Sequence, residues 1–194
     1  MSMDVPRFFG GSMQAMEFSV LNWIRETLSC GFLDGFFKFV TTLGEVGAIW
    51  IVLGLTFLIF RKYRRLGVTV LVGLLFGLVI GNLFLKNVIA RERPFMVNEA
   101  VQLIIAAPSE YSFPSGHTLS SVIAATCILL RDRRLGIPAC ILAVLIAFSR
   151  LYLYVHFPTD ILGGALLGVS IAFLVTWLCR KLPWPWLDPR KNEE

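Results

Sequence analysis

The stretch LGVTVLVGLLFGLVIGNLFL, residues 66–85, carries no charged side chain. Its length matches the roughly 20 residues an α-helix needs to cross a bilayer. Backbone amides find no water at that depth, so the segment is expected to be helical. The apolar character continues past Lys86 to residue 89. Outward from this run, four more segments read as spans: 43–60, 114–130, 137–155 and 158–178. The expected fold is therefore all-α, a multi-pass transmembrane helical bundle of five spans. Residues 14–40 are apolar but interrupted by Glu17, Arg25, Glu26, Asp34 and Lys38. They read as one or two amphipathic helices at the membrane surface, with a sixth, polar span as the alternative. The expected organisation is an N-terminal interfacial unit at 1–42, a transmembrane core at 43–182 and a cytoplasmic tail at 183–194.

Composition agrees with a membrane protein. Hydrophobic residues make up 56% of the 194-residue chain and the mean hydropathy is +0.72. A soluble domain is closer to half apolar even when glycine is counted. The net charge of +5 and pI near 9.3 do not point to nucleic acid, because the cations sit at the ends of apolar runs, where topology and anionic head groups account for them. Cys30, Cys127, Cys140 and Cys179 form no C-x-x-C pair and lie near no histidine at zinc-finger spacing. They read as reduced packing residues. The first eleven residues lack the apolar core and cleavage site of a signal peptide.

Charge sets the expected orientation. Arg61, Lys62, Arg64 and Arg65 follow the first span, Arg131, Arg133 and Arg134 follow the third, and Arg180, Lys181, Arg190 and Lys191 follow the fifth. Cation-rich short loops stay in the cytoplasm, so the loops 90–113 and 154–157 face outward. Trp184 and Trp186 suit an interfacial anchor in the tail. Gly73, Gly77 and Gly81 on the second span, and Gly164 and Gly168 on the fifth, recur every four residues; small residues at that spacing let helices approach closely.

A polar set remains on the outward side: Lys86, Arg91, Arg93, His117, Arg150, His156 and Asp160. Ionisable groups at membrane depth are costly and mark functional sites. Lys86 taken alone reads better as a snorkelling helix-end lysine. With Arg93 seven residues on, the two share one helical face, and Pro94 then stops the helix. Arg91 lies off that face and reads as a surface or orientation residue. Pro114-Ser115-Gly116-His117 looks like a helix N-terminus, either a plain cap or an anion site with free amides. Arg150 lies inside an apolar run, where a paired anion is needed. His156 precedes Asp160 by four residues, and a carboxylate at that spacing can accept from one imidazole nitrogen and leave the other as a lone pair. Cations and amides that bind phosphate, one histidine to attack and one to protonate a leaving oxygen make a phosphoryl-transfer set. The outward carboxylates, mainly Glu92, Glu99, Glu110 and Asp160, show no two-metal pattern, so no cofactor or metal is expected.

These residues resemble the three-part motif of the type 2 phosphatidic acid phosphatase superfamily. The first part is Lys86 with Arg93-Pro94, the second Pro114 to His117, the third Ser149-Arg150 with His156 and Asp160. The resemblance covers residues 86–160. It implies a metal-independent phosphoric monoester or diphosphate hydrolase in which His156 forms a phosphohistidine, Asp160 activates it and His117 serves as general acid. Lys86, Arg93, Ser115, Gly116 and Arg150 would hold the phosphate. The expected substrate is a lipid phosphate, with undecaprenyl pyrophosphate ahead of phosphatidylglycerophosphate and phosphatidic acid, at the outer face of the plasma membrane. Two other classes fit part of the set: a bis-histidine haem protein using His117 and His156, and an anion channel lined by the cations.

Overall fold

The computed structural model describes residues 11–181; the first ten residues and the tail, with Trp184, Trp186, Arg190 and Lys191, lie outside the described residues. Among the described residues every regular element is helical. In chain order these are α1 (Gly11–Leu28), α2 (Gly31–Leu43), α3 (Ala48–Ile59), α4 (Arg64–Gly77), α5 (Lys86–Ile89), α6 (Pro94–Val97), α7 (Gly116–Arg131), α8 (Arg133–Tyr152) and α9 (Pro158–Lys181). A π-helical stretch, Leu78–Leu85, joins α4 to α5.

Three segments are long and apolar enough to cross a membrane: 61–97, α8 and α9. A fourth arises if α2 and the segment ending in α3 count as one span bent by 43°. The expected span at 43–60 is thus broken near its start. Val46 (φ 51°) and Gly47 (φ 71°) both take left-handed conformations that no α-helix tolerates in succession. The helix α7, at 16 residues, is shorter than α8 at 20 and α9 at 24.

The ends of the helices follow from local chemistry. The Ser115 side chain caps α7 by accepting from Thr118 N–H, and Asp132 caps α8 by accepting from Arg134 N–H. Pro158 opens α9, where its missing N–H costs nothing. The helix carrying Lys86 does not run on to Pro94 as expected. It ends at Ile89, because Ala90 turns left-handed (φ 47°), and Pro94 then starts the short α6. Lys86 and Arg93 therefore do not share a helical face; the turn at Ala90 sets their relation.

At the centre, α7 packs against α4, α8 and α9. Trp50, Val70, Leu119, Ile123, Ile146, Ile171 and Val175 fill the shared core. The glycine spacing does what it implies: a Cβ on Gly73 would meet Ile123 Cγ2 at 2.7 Å, and one on Gly164 would meet Ser115 O at 2.9 Å. Leu78, Val79, Leu83, Phe84, Leu166 and Phe173 point outward and stay exposed, as lipid-facing residues do. At the other end α1 and α2 cover the 152–157 segment, with Ile24 and Phe37 against Tyr152, Leu153 and Val155, and Leu21 against Tyr154 and Phe157.

Candidate active site

The turn after α8 aims one histidine. Tyr154 is left-handed (φ 60°), a conformation that a non-glycine residue keeps only when its surroundings hold it. Here they do: its hydroxyl donates to Asn22 Oδ1 at 2.7 Å, and Asn98 Nδ2 donates to that hydroxyl at 3.3 Å. Val155 N–H returns to Arg150 O at 3.2 Å. His156 then lies 1% exposed between the ends of α8 and α9.

Both ring nitrogens of His156 face protein groups. Arg93 Nη1 lies 3.2 Å from Nε2. A guanidinium only donates, so Nε2 carries the lone pair and Nδ1 the proton. Nδ1 faces Asp160 Oδ2 at 3.4 Å and Ser112 Oγ at 3.4 Å. Burial pushes the His156 imidazolium down to about 3; Asp160 opposes that shift, and Arg93 and Arg150 add to it. The neutral ring is thus the resting form.

Asp160 is fully buried and saturated with donors. Its Oδ2 accepts from Ser112 Oγ and, at 2.8 Å, from Phe157 N–H, the backward bond that an acid in the first turn of a helix makes. Its Oδ1 accepts from Arg91 Nη1 at 2.6 Å. Arg91 thus corrects the sequence reading. It is 8% exposed, not a surface residue, because the chain has left the helix at Ala90 and turns it inward. Its other nitrogen, Nη2, pairs with Glu17 of α1, and its Cζ lies 4.0 Å from the Phe157 ring centroid.

The cations converge on the same end. Arg93 is held by three carbonyls: Nε to Glu110 O at 2.6 Å, Nη1 to Val155 O at 2.9 Å and Nη2 to Tyr111 O at 3.4 Å. Lys86 Nζ pairs with Glu110 Oε2 at 2.5 Å. That bond and Lys86's charge hold the Glu110 carboxyl below its ordinary range. Arg150, 3% exposed, donates to Thr41 Oγ1 of α2, and its Nε has no partner. Among the described residues no carboxylate forms a direct ion pair with it; Glu45 acts on it only at a distance, and a neutral hydroxyl makes the contact. His117 packs against Gly44, where a Cβ would come within 2.7 Å of its Cδ2, and its Nε2 is buried without a partner. Lys86, Arg93, Arg150 and His156 all lie near enough to act electrostatically on His117.

Six of the eight expected site residues, Lys86, Arg93, His117, Arg150, His156 and Asp160, are thus brought together with side chains at one end of the bundle. Ser115 and Gly116 join them through the start of α7: Ser115 N–H donates to Asp160 O at 3.2 Å, and its hydroxyl acts as a cap. A Cβ on Gly116 would meet Asn82 Oδ1 at 2.9 Å, so glycine lets the Asn82 amide touch that backbone. Sequence reasoning missed Glu17, Thr41, Asn82, Ser112 and the inward role of Arg91. Glu17, a carboxylate between Met16 and Phe18 in an otherwise apolar turn, was the available signal.

Comparison with known proteins gives the family. The chain matches the PAP2 superfamily over residues 66–184. It is 36% identical over 143 residues to an undecaprenyl-diphosphatase of Sulfolobus acidocaldarius, covering 73% of this chain and 68% of that protein. It is 35% identical over 126 residues to phosphatidylglycerophosphatase B of Bacillus subtilis, covering 57% of this chain and 59% of that one. In fold it resembles the crystal structure of a transmembrane PAP2 type phosphatidylglycerolphosphate phosphatase from Bacillus subtilis, with a TM-score of 0.75, 24% identity and 92% of each chain covered. The chain belongs to the PAP2 superfamily, as a membrane-embedded member alongside its phosphoric ester hydrolases.

Proposed function

We propose that the protein hydrolyses a lipid phosphate or diphosphate through a phosphohistidine on His156, with undecaprenyl diphosphate converted to undecaprenyl phosphate as the leading reaction. The observation that carries this reading is the double engagement of His156, with Arg93 on Nε2 and Asp160 behind Nδ1. It fixes the tautomer and points the lone pair into the cluster of cations. Haem ligation gains nothing from it, since neither nitrogen is turned to a free face.

In the first step the substrate phosphate draws Arg93 off Nε2 and onto its own oxygens, with Lys86, Arg150, the Ser115 hydroxyl and the Gly116 amide as further ligands. The Nε2 lone pair attacks phosphorus, the N–P bond forms and the bond to the leaving oxygen breaks. That oxygen keeps the electron pair and takes a proton from His117. In the second step water attacks phosphorus and passes its proton to His117, and the N–P electrons return to Nε2. Phosphate leaves and the site is restored. Asp160 accepts from Nδ1–H throughout and offsets the positive charge that the ring gains in the intermediate.

In this reading residues 43–182 form the core of five spans, and 1–42 supply helices at the outer interface. The cation-rich ends of α3, α7 and α9 lie in the cytoplasm, and the site opens outward. The named relatives act on two lipids, an undecaprenyl diphosphate and a phosphatidylglycerophosphate; the first is preferred because that match covers more of both chains. Parallel assays of purified protein on both lipids test the choice. Faster release from phosphatidylglycerophosphate would reverse it.

A further inference from the structure

Glu17 is 4% exposed in a helix whose neighbouring side chains Met16 and Val20 are exposed. Its two oxygens are divided between two elements. Oε2 accepts from Arg91 Nη2 at 2.5 Å; Oε1 accepts from the Thr159 hydroxyl at 2.5 Å and from Thr159 N–H at 3.2 Å. The Thr159 hydroxyl itself accepts from Arg91 Nη1 at 2.7 Å. The same Nη1 donates to Asp160 Oδ1. A continuous chain of contacts therefore runs from α1 to the carboxylate behind His156. We propose that Glu17 is a positioning residue for catalysis, which acts through Arg91 to set the orientation and acceptor strength of Asp160. The proposal rests on the assignment of His156 as nucleophile.

Docking of α1 does not require these charges. Leu21 and Phe18 already pack on Tyr154 and Phe157, and burying three ions is expensive where apolar contact suffices. What the triad adds is a division of one cation between two anions. With Glu17 in place, Arg91 neutralises Asp160 only in part, so Asp160 stays a strong acceptor for the Nδ1 proton. Without the Glu17 charge, more of the Arg91 charge falls on Asp160 and weakens it as an acceptor. Without Arg91 the opposite holds: Asp160 is left with Ser112, Phe157 N–H and His156, and its pull on the Nδ1 proton grows. The other charged and titratable groups facing His156, namely Arg93, Arg150 and His117, are common to all variants.

The test uses the full chain in detergent micelles, with histidine 15N-labelled. The chain has two histidines, so the Nδ1-bound proton of His156 is assigned by its loss in His156→Ala. This resonance is expected to move upfield in Glu17→Gln and downfield in Arg91→Gln. A merely structural loosening moves both upfield, and that result, or no movement, overturns the proposal. Glu17→Asp, which keeps the charge, should move it less than Glu17→Gln and serves if the latter fails to fold. In kinetics on undecaprenyl diphosphate, Glu17→Gln should lose kcat by about tenfold or more with KM within about twofold, and Glu17→Asp should regain part. Opposite shifts in the two variants, beside a wild type that releases no phosphate, would sink the proposed reaction and leave the coupling intact. An active wild type with neither shift nor kcat loss in Glu17→Gln would sink only the coupling.

Discussion

Asp160→Asn removes one charge from the middle of the site and little volume. In the structure the carboxylate stands 3.4 Å from His156 Nδ1. A positive charge forming on the ring at that distance is stabilised by about 5 kcal/mol at an effective dielectric constant near 20. The amide of Asn can still accept from Nδ1–H, and a neutral acceptor restores about 1 kcal/mol of that. The net loss, about 4 kcal/mol, corresponds to a fall in kcat of about 10³-fold. KM should change little, because Asp160 touches the ring and not the phosphate. Arg91 keeps Glu17 as a partner, so folding should survive. Single-turnover phosphate release, beside a thermal melt of the same preparation, measures both. A folded Asp160→Asn with kcat within about tenfold of wild type refutes the role of Asp160 as stabiliser of a charged ring.

Glu110 is a competitor for Lys86 and its side chain is 66% exposed. Glu110→Gln should therefore lower KM several-fold, within the ~1 kcal/mol of an exposed pair, and a raised KM contradicts that. The His156 imidazolium is held down to about 3, so the neutral nucleophile persists as pH falls through the ordinary histidine value of about 6.5. Any acid limb of kcat/KM, which belongs to the neutral nucleophile His156, should then lie well below about 6.5; an acid limb near about 6.5 contradicts this. Gly44→Ala places a Cβ 2.7 Å from His117 Cδ2 and 2.8 Å from Ile146 Cγ2. The displaced ring should cost about 10²-fold in kcat. Unchanged turnover there would mean that His117 has room to move without penalty.

Much of the site was legible because its residues lie close along the chain. Pro114 to His117 reads as a helix start and is one, and the spacing of His156 to Asp160 reads as a ring with a carboxylate and is one. Hydropathy likewise found the long apolar helices. What sequence could not supply was the path of the backbone where helices end. One left-handed residue, Ala90, carries Arg91 from an expected surface position into a buried ion pair. Two more, Val46 and Gly47, break the first expected span. Glu17 and Arg91 are 74 positions apart, and helical periodicity treats a charge on an amphipathic segment as solvated. Only the fold reveals that this face of α1 meets the site. Thr41, which receives Arg150 in place of the expected anion, is hidden for the same reason.

The central claim is a phosphohistidine at His156. It is tested most directly by phosphate release from undecaprenyl diphosphate in EDTA, with wild type and His156→Ala side by side. The account predicts release by the wild type and none above background by the variant. Release by His156→Ala at a rate near wild type would contradict it.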